Sequence, residues 1–209
     1  MGVGGLLTLA EQAKKEWRTG GFSGAGQGPE SIPEKILTAD PDAPVSRYYE
    51  IQGIDDRIHH IRALINKYKS HRKIYEASRK IVMSCPERSW KCELSSVYKF
   101  MRHAVRYRRD INKVDTYQSP LKTFEWRAGD CDDFTIAIAS LCEALGYQSL
   151  LEVIQTKNAK DFNHIFPLIL VPPRGKNRKK VAMDASVPRW MGWHPKHEGL
   201  VAKSKIYTV

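Results

Sequence analysis

From residue 54 onward, apolar residues recur at three- and four-residue spacing. Ile58, Ile61, Leu64, Ile65 and Tyr68 make one stripe. Ile74, Ala77, Ile81 and Val82 make a second. Leu94, Val97, Tyr98, Met101 and Val105 make a third, with Lys99, Arg102 and Arg106 on the opposite side. This is the period of helices with one buried face. The pattern predicts three helices that pack on one another. Residues 114–127 show no clear period and read as mostly irregular.

The next helix is predicted over 131–145. Asp130 is placed to be its N-cap, and Asp132 and Asp133 fall in its first turn, where acidic groups suit the helix dipole. Ile136, Ala139, Ser140, Leu141 and Ala144 form a face of small and apolar residues that permits close packing. Gly146 suits the position just past the helix end. The pattern then changes to strand over 150–155, 162–171 and 180–185, separated by loops at 158–160 and 172–177. These segments read as an antiparallel meander following a helix, and a last strand is expected at 205–209. Pro167 cannot donate to a ladder, so an edge, a bulge or an early strand end is expected there. The fold class is α+β, with N-terminal helices, a central helix and an antiparallel sheet.

Residues 1–45 read as an extended arm and 46–209 as the domain. Gly is frequent from Gly20 to Gly28, and Pro29, Pro33, Pro41 and Pro44 follow. A short helix is expected near 8–18. The rest of the arm cannot bury enough apolar surface alone, so a partner is expected to order it.

The apolar content of 42% supports a real core. No apolar run reaches the length of a membrane span. The N-terminus lacks an early positive charge, which argues against a secretory signal. Leu6 stands where a myristoylation pattern needs Ser or Thr. Four cysteines are too few for a disulfide scaffold, and no zinc spacing follows Cys85 and Cys92. The set reads as reduced and intracellular, with Cys142 a small buried side chain. The net charge of +11 is concentrated at 67–73, 102–109 and 174–180. Such clusters suit a solvated face or a polyanionic partner; no nucleic-acid motif stands beside them.

The candidate chemistry centres on Gly129-Asp130-Cys131-Asp132-Asp133. A cysteine at a helix start faces unpaired N–H groups and the positive end of the dipole, which favour the thiolate. His164 and Asp184 follow on predicted neighbouring strands. In the order Cys131, His164, Asp184 they form a nucleophile, a base and an orienting acid. The Cys131 N–H can serve an oxyanion, with Gln118 or Trp126 as candidates for the second donor. The flanking acids oppose the thiolate by charge. Capping and loop anchoring are their expected roles. A Ca²⁺ or Mg²⁺ site is the alternative, although the EF-hand spacing is absent. No cofactor is expected.

These segments resemble the transglutaminase-like superfamily of papain-related folds. The likeness rests on Gly-Asp-Cys131-Asp-Asp with its helix ending Leu-Gly146-Tyr, on Asn-His164-Ile-Phe, and on Met-Asp184-Ala-Ser. A narrower likeness, to transglutaminase-like proteins of tailed phages and prophages, rests on Gly53-Ile54-Asp55-Asp56, Val105-Arg106-Tyr107, Tyr117-Gln118-Ser119-Pro120 and Val187-Pro188 leading to Gly192-Trp193. The resemblance implies Cys131, His164 and Asp184 as the catalytic set. It also implies cleavage of a peptide or isopeptide bond, or transfer to an amine, through a thioester. The phage likeness implies a protein or cell-wall peptide substrate and a virion or assembly partner for residues 1–45. It places the protein in the bacterial host cytoplasm during assembly, or in the virion. Two other readings stay open: a structural virion or tail-assembly part whose triad is idle, and a basic adaptor on nucleic acid.

Overall fold

The computed structural model describes residues 53–109 and 116–209, with the backbone of Arg47 and Tyr48. The arm and its expected helix at 8–18 lie outside the described residues.

The three predicted stripes form α1 (Ile54–Tyr68), α2 (Arg72–Ile81) and α3 (Trp90–Ala104). Ile58, Ile61, Ile65 and Tyr68 of α1 are buried, as are Ile74 and Ala77 of α2 and Leu94, Val97, Tyr98 and Met101 of α3. Two-residue strands come next: β2 (Arg106–Tyr107) and β3 (Thr116–Tyr117), the latter pairing antiparallel with β1 (Arg47–Tyr48).

The stretch read as irregular contains a helix, α4 (Pro120–Trp126). Ser119 caps it by accepting from the Lys122 N–H, and Pro120 takes the first turn, where its missing N–H costs nothing. Leu121 and Phe124 anchor it in the core. Two turns are too few for periodicity to stand out, but Ser-Pro was a legible start signal. Arg127 ends the helix in the left-handed region (φ 51°), and β4 (Ala128–Gly129) pairs parallel with β2.

Helix α5 (Cys131–Ala144) is buried on all sides from Cys131 to Cys142. It packs on α1 to α4 and, across from them, on the sheet strands β5 (Gln148–Thr156) and β6 (His164–Val171). Its continuous burial explains its weak amphipathic pattern. Gly146 follows with φ 90°, the backbone region expected of a residue past a helix end.

β5, β6, β7 (Lys179–Ala182) and β8 (Val201–Thr208) form an antiparallel sheet in the order β7-β6-β5-β8. The meander is as expected, and the last strand adds to the outer side of β5. Pro167 lies inside β6, paired with Leu151, on an inner strand. Its carbonyl accepts from the Met183 N–H just after β7 ends, so its donorless nitrogen faces the side where the β6–β7 ladder stops.

The reading of four reduced cysteines is corrected. Cys85, after α2, and Cys92, in α3, form a disulfide with Cα atoms 5.7 Å apart. The turn between the two helices brings them together, a proximity that cysteine counting does not reveal. Cys131 and Cys142 are free thiols.

Candidate active site

The site is built where β4 runs into α5. Asp130 accepts the N–H groups of Asp132 (2.9 Å) and Asp133 (3.2 Å), and Asp133 accepts the Asp130 N–H in return. This reciprocal cap takes the second and third N–H groups of the helix. Among the described residues no hydrogen bond claims the first, that of Cys131. Asp133, fully buried, also accepts the Gln118 N–H and side-chain Nε2, each at 2.8 Å. Two of the three acids are therefore caps and loop anchors. Among the described residues no cluster of His, Cys, Asp and Glu is arranged to hold a metal ion. Gly129 is required by this packing: a Cβ there would stand 2.7 Å from the Asp133 Cβ.

Asp132 has a different role. Its Oδ1 is the acceptor for the Cys131 thiol at 3.8 Å. The expectation of a resting thiolate is corrected here. Burial first, then Asp132 and Asp130, push the Cys131 thiol well above its ordinary pKa. The Ile165 backbone N–H and the Arg57 charge pull it down, and do not prevail. The helix terminus is present, but at 9% exposure desolvation and two adjacent carboxylates outweigh it. At neutral pH the group is a thiol, and it needs a base to become a nucleophile.

His164 begins β6, next to the Ile165 whose N–H meets the Cys131 sulfur. Its Nε2 lies 2.6 Å from Asp184 Oδ2, just past the end of β7. Asp184 is an acceptor only, so Nε2 carries the proton and Nδ1 keeps a lone pair. The other Asp184 oxygen accepts from the Ser186 hydroxyl (2.7 Å) and N–H (3.3 Å). Helix α3 holds this segment in place: Tyr98 donates to the Asp184 or the Arg189 carbonyl, both 2.9 Å away, and Arg102 donates to the carbonyls of Ala185 and Val187. Arg102, in a cluster read as a solvated face or a polyanion surface, is thus a support of the acid loop.

The structure brings His164 and Asp184 into contact and sets Cys131 beside Ile165. Among the described residues no hydrogen bond joins Cys131 to His164. Gln118 is buried at the helix start, with one amide N–H on Asp133. Trp126 is half-exposed at the end of α4, with Lys122 Nζ 4.7 Å from its ring centre. Sequence reasoning missed Tyr107 and Arg57 at this site. Tyr107 pairs with Gly129 across β2 and β4, and its ring centre lies 6.4 Å from that of Phe134 in α5. Only the tertiary pairing reveals it.

Residues 75–177 match the model of the Transglutaminase-like superfamily. Over that stretch, just under half of the chain, the protein is similar to the transglutaminase-like superfamily. The matched stretch contains Cys131 and His164 and ends before Asp184. Among solved structures the chain is similar to a proposed cysteine protease from Cytophaga hutchinsonii, at 16% identity and a TM-score of 0.47. The match covers 77% of this chain and 53% of that one, so the chain spans about half the length of that protein. No curated protein matches the chain. No described helix is long and apolar enough to cross a membrane.

Proposed function

We propose that this transglutaminase-like protein is a cysteine hydrolase that cuts peptide or isopeptide bonds through Cys131, His164 and Asp184, in the assembly or the particle of a tailed phage. The observation that carries the chemistry is the His164–Asp184 hydrogen bond of 2.6 Å, one residue from the backbone N–H that meets the Cys131 sulfur. Asp184 fixes His164 with its lone pair on Nδ1. His164 takes the thiol proton as the sulfur attacks the carbonyl carbon. The C–S bond forms, the oxyanion rests on the free Cys131 N–H and the second Gln118 amide N–H, and the C–N bond then breaks. The proton passes from His164 to the leaving amine. Water, deprotonated by His164, then attacks the thioester; the C–S bond breaks, the acid is released, and His164 returns the proton to the Cys131 sulfur. The Cys131–His164 contact tightens when substrate displaces the thiol from Asp132, as catalytic contacts often do on binding.

One observation favours a second reading. The thiol is hydrogen-bonded to Asp132 and held protonated, which suits an idle triad in a structural virion part anchored by residues 1–45.

The test is incubation of wild type and Cys131→Ala with cell-wall stem peptides and with purified phage structural proteins. Cleavage is read by mass spectrometry, and particle incorporation is read alongside. Cleavage lost in Cys131→Ala, His164→Ala and Asp184→Ala supports the hydrolase. Absence of cleavage by wild type, with incorporation that needs residues 1–45 and ignores Cys131→Ala, supports the structural part. Cleavage unchanged in Cys131→Ala contradicts the proposed mechanism.

A further inference from the structure

The basic cluster at 102–109 divides in two. Arg102 is engaged with the Asp184 loop. Arg106, Arg108 and Arg109 are exposed on and just after β2, and among the described residues none of the three has a carboxylate partner. β2 lies directly beside the nucleophile. The Arg106 N–H donates to the Arg127 carbonyl and the Arg108 N–H to the Gly129 carbonyl, so these two residues turn their backbone toward β4. Tyr107, between them, turns its N–H and C=O to the other side. Among the described residues no strand pairs with that outer edge. The Tyr107 ring stands over the first turn of α5, against Phe134, and is 46% exposed. Its phenol feels the site directly: burial, then Cys131 and Asp130, push its pKa up, while Arg109 against the same phenol pulls it down.

A strand edge that no described strand pairs with offers an N–H and a C=O to an extended chain, and main-chain pairing of this kind is a known mode of peptide capture. Guanidinium groups that have no carboxylate partner among the described residues favour carboxylates, which they can hold by two parallel hydrogen bonds. A nucleic acid would use the charge but not the alternating backbone groups. We propose that β2 is the substrate lip of the Cys131 site, and that it binds an extended acidic peptide segment by strand addition at Tyr107 and by charge at Arg106, Arg108 and Arg109. This rests on the hydrolase reading for what happens next, but binding is testable apart from cleavage.

The experiment uses the full chain carrying Cys131→Ala and fluorescein-labelled ten-residue peptides, read by anisotropy. One peptide is rich in Asp, one has Asn in place of each Asp, and one is the Asp peptide with alternate backbone nitrogens methylated. A single-stranded oligonucleotide of equal charge is the competitor. The expected result is that the Asp peptide binds at least about tenfold tighter than either other peptide. R106Q/R108Q/R109Q should abolish that preference, whereas R174Q/K176Q/R178Q, in the distant β6–β7 loop, should keep it. Equal loss in both triple variants, binding indifferent to methylation, or an oligonucleotide that displaces the peptide from the control and lip variants alike would overturn the lip. Cleavage of acidic and neutral peptides alike by wild type would sink the lip and leave the hydrolase standing. Lip-dependent binding of the Asp peptide with no peptide cleaved by wild type would do the reverse.

Discussion

At the residue scale the site turns on one side chain the sequence assigned to the helix dipole. Asp132 was read as an acid of the first turn; in the fold it accepts a hydrogen bond from the Cys131 thiol. Its charge and its hydrogen bond both favour the protonated sulfur. Asp132→Asn removes the charge, so the Cys131 pKa should fall. Alkylation of Cys131 by iodoacetamide, followed by mass spectrometry, should rise with pH in wild type and be displaced to the alkaline side of an unperturbed thiol. In Asp132→Asn the same rise should occur at lower pH. An unshifted profile would remove Asp132 from the account. Cys142 is an internal control, because it is wholly buried and burial raises its pKa steeply. With no reductant, denatured protein should titrate as two free thiols, Cys131 and Cys142, since Cys85 and Cys92 are paired.

At the element scale, the start of α5 is the most constrained joint. Gly129→Ala drives a Cβ into Asp133, whose carboxylate is pinned by Gln118 and Asp130 and cannot swing aside. The expected loss is about 1–3 kcal/mol of stability, read as a lower urea midpoint with unchanged slope. A second element-scale prediction concerns the loop beyond Asp184. Burial pushes the Glu152 carboxyl up, but hydrogen bonds from His194 (2.8 Å) and Lys196 (3.0 Å) outweigh it and hold its pKa below the ordinary value. A carboxyl with a depressed folded pKa contributes stability that is present above the unfolded value of about 4.3 and is lost as pH falls through the folded one. Glu152→Gln should therefore lower stability at neutral pH and flatten the loss that sets in as pH falls below the unfolded value of about 4.3. Parallel curves for the two proteins would contradict it.

At the scale of the whole molecule, what the chain made legible follows the range of the forces involved. The stripes of α1, α2 and α3 and the strands of the meander repeat over many residues, so a period exposes them. Gly146, Asp130 and the order of Cys131, His164 and Asp184 are local or sequential signals and could be read directly. α4 was passed over because two turns leave little period. The Cys85–Cys92 pairing, the place of Tyr107 beside Gly129 and the hold of Tyr98 and Arg102 on the Asp184 loop depend on elements far apart in sequence. No local pattern contains them. The thiolate was expected at Cys131 for the same reason: the dipole and the opposing acids are visible in the chain, whereas the burial that tips the balance appears only when α1, β6 and α5 are packed together.

The central claim is that His164, oriented by Asp184, is the base for Cys131. The most direct measurement is the rate of Cys131 alkylation by iodoacetamide at pH 7 in wild type, His164→Ala and Asp184→Asn, resolved by peptide mass. General-base assistance predicts a fall of at least about tenfold in His164→Ala and a smaller fall in Asp184→Asn. Equal rates in all three proteins, each with unchanged circular dichroism, would contradict it.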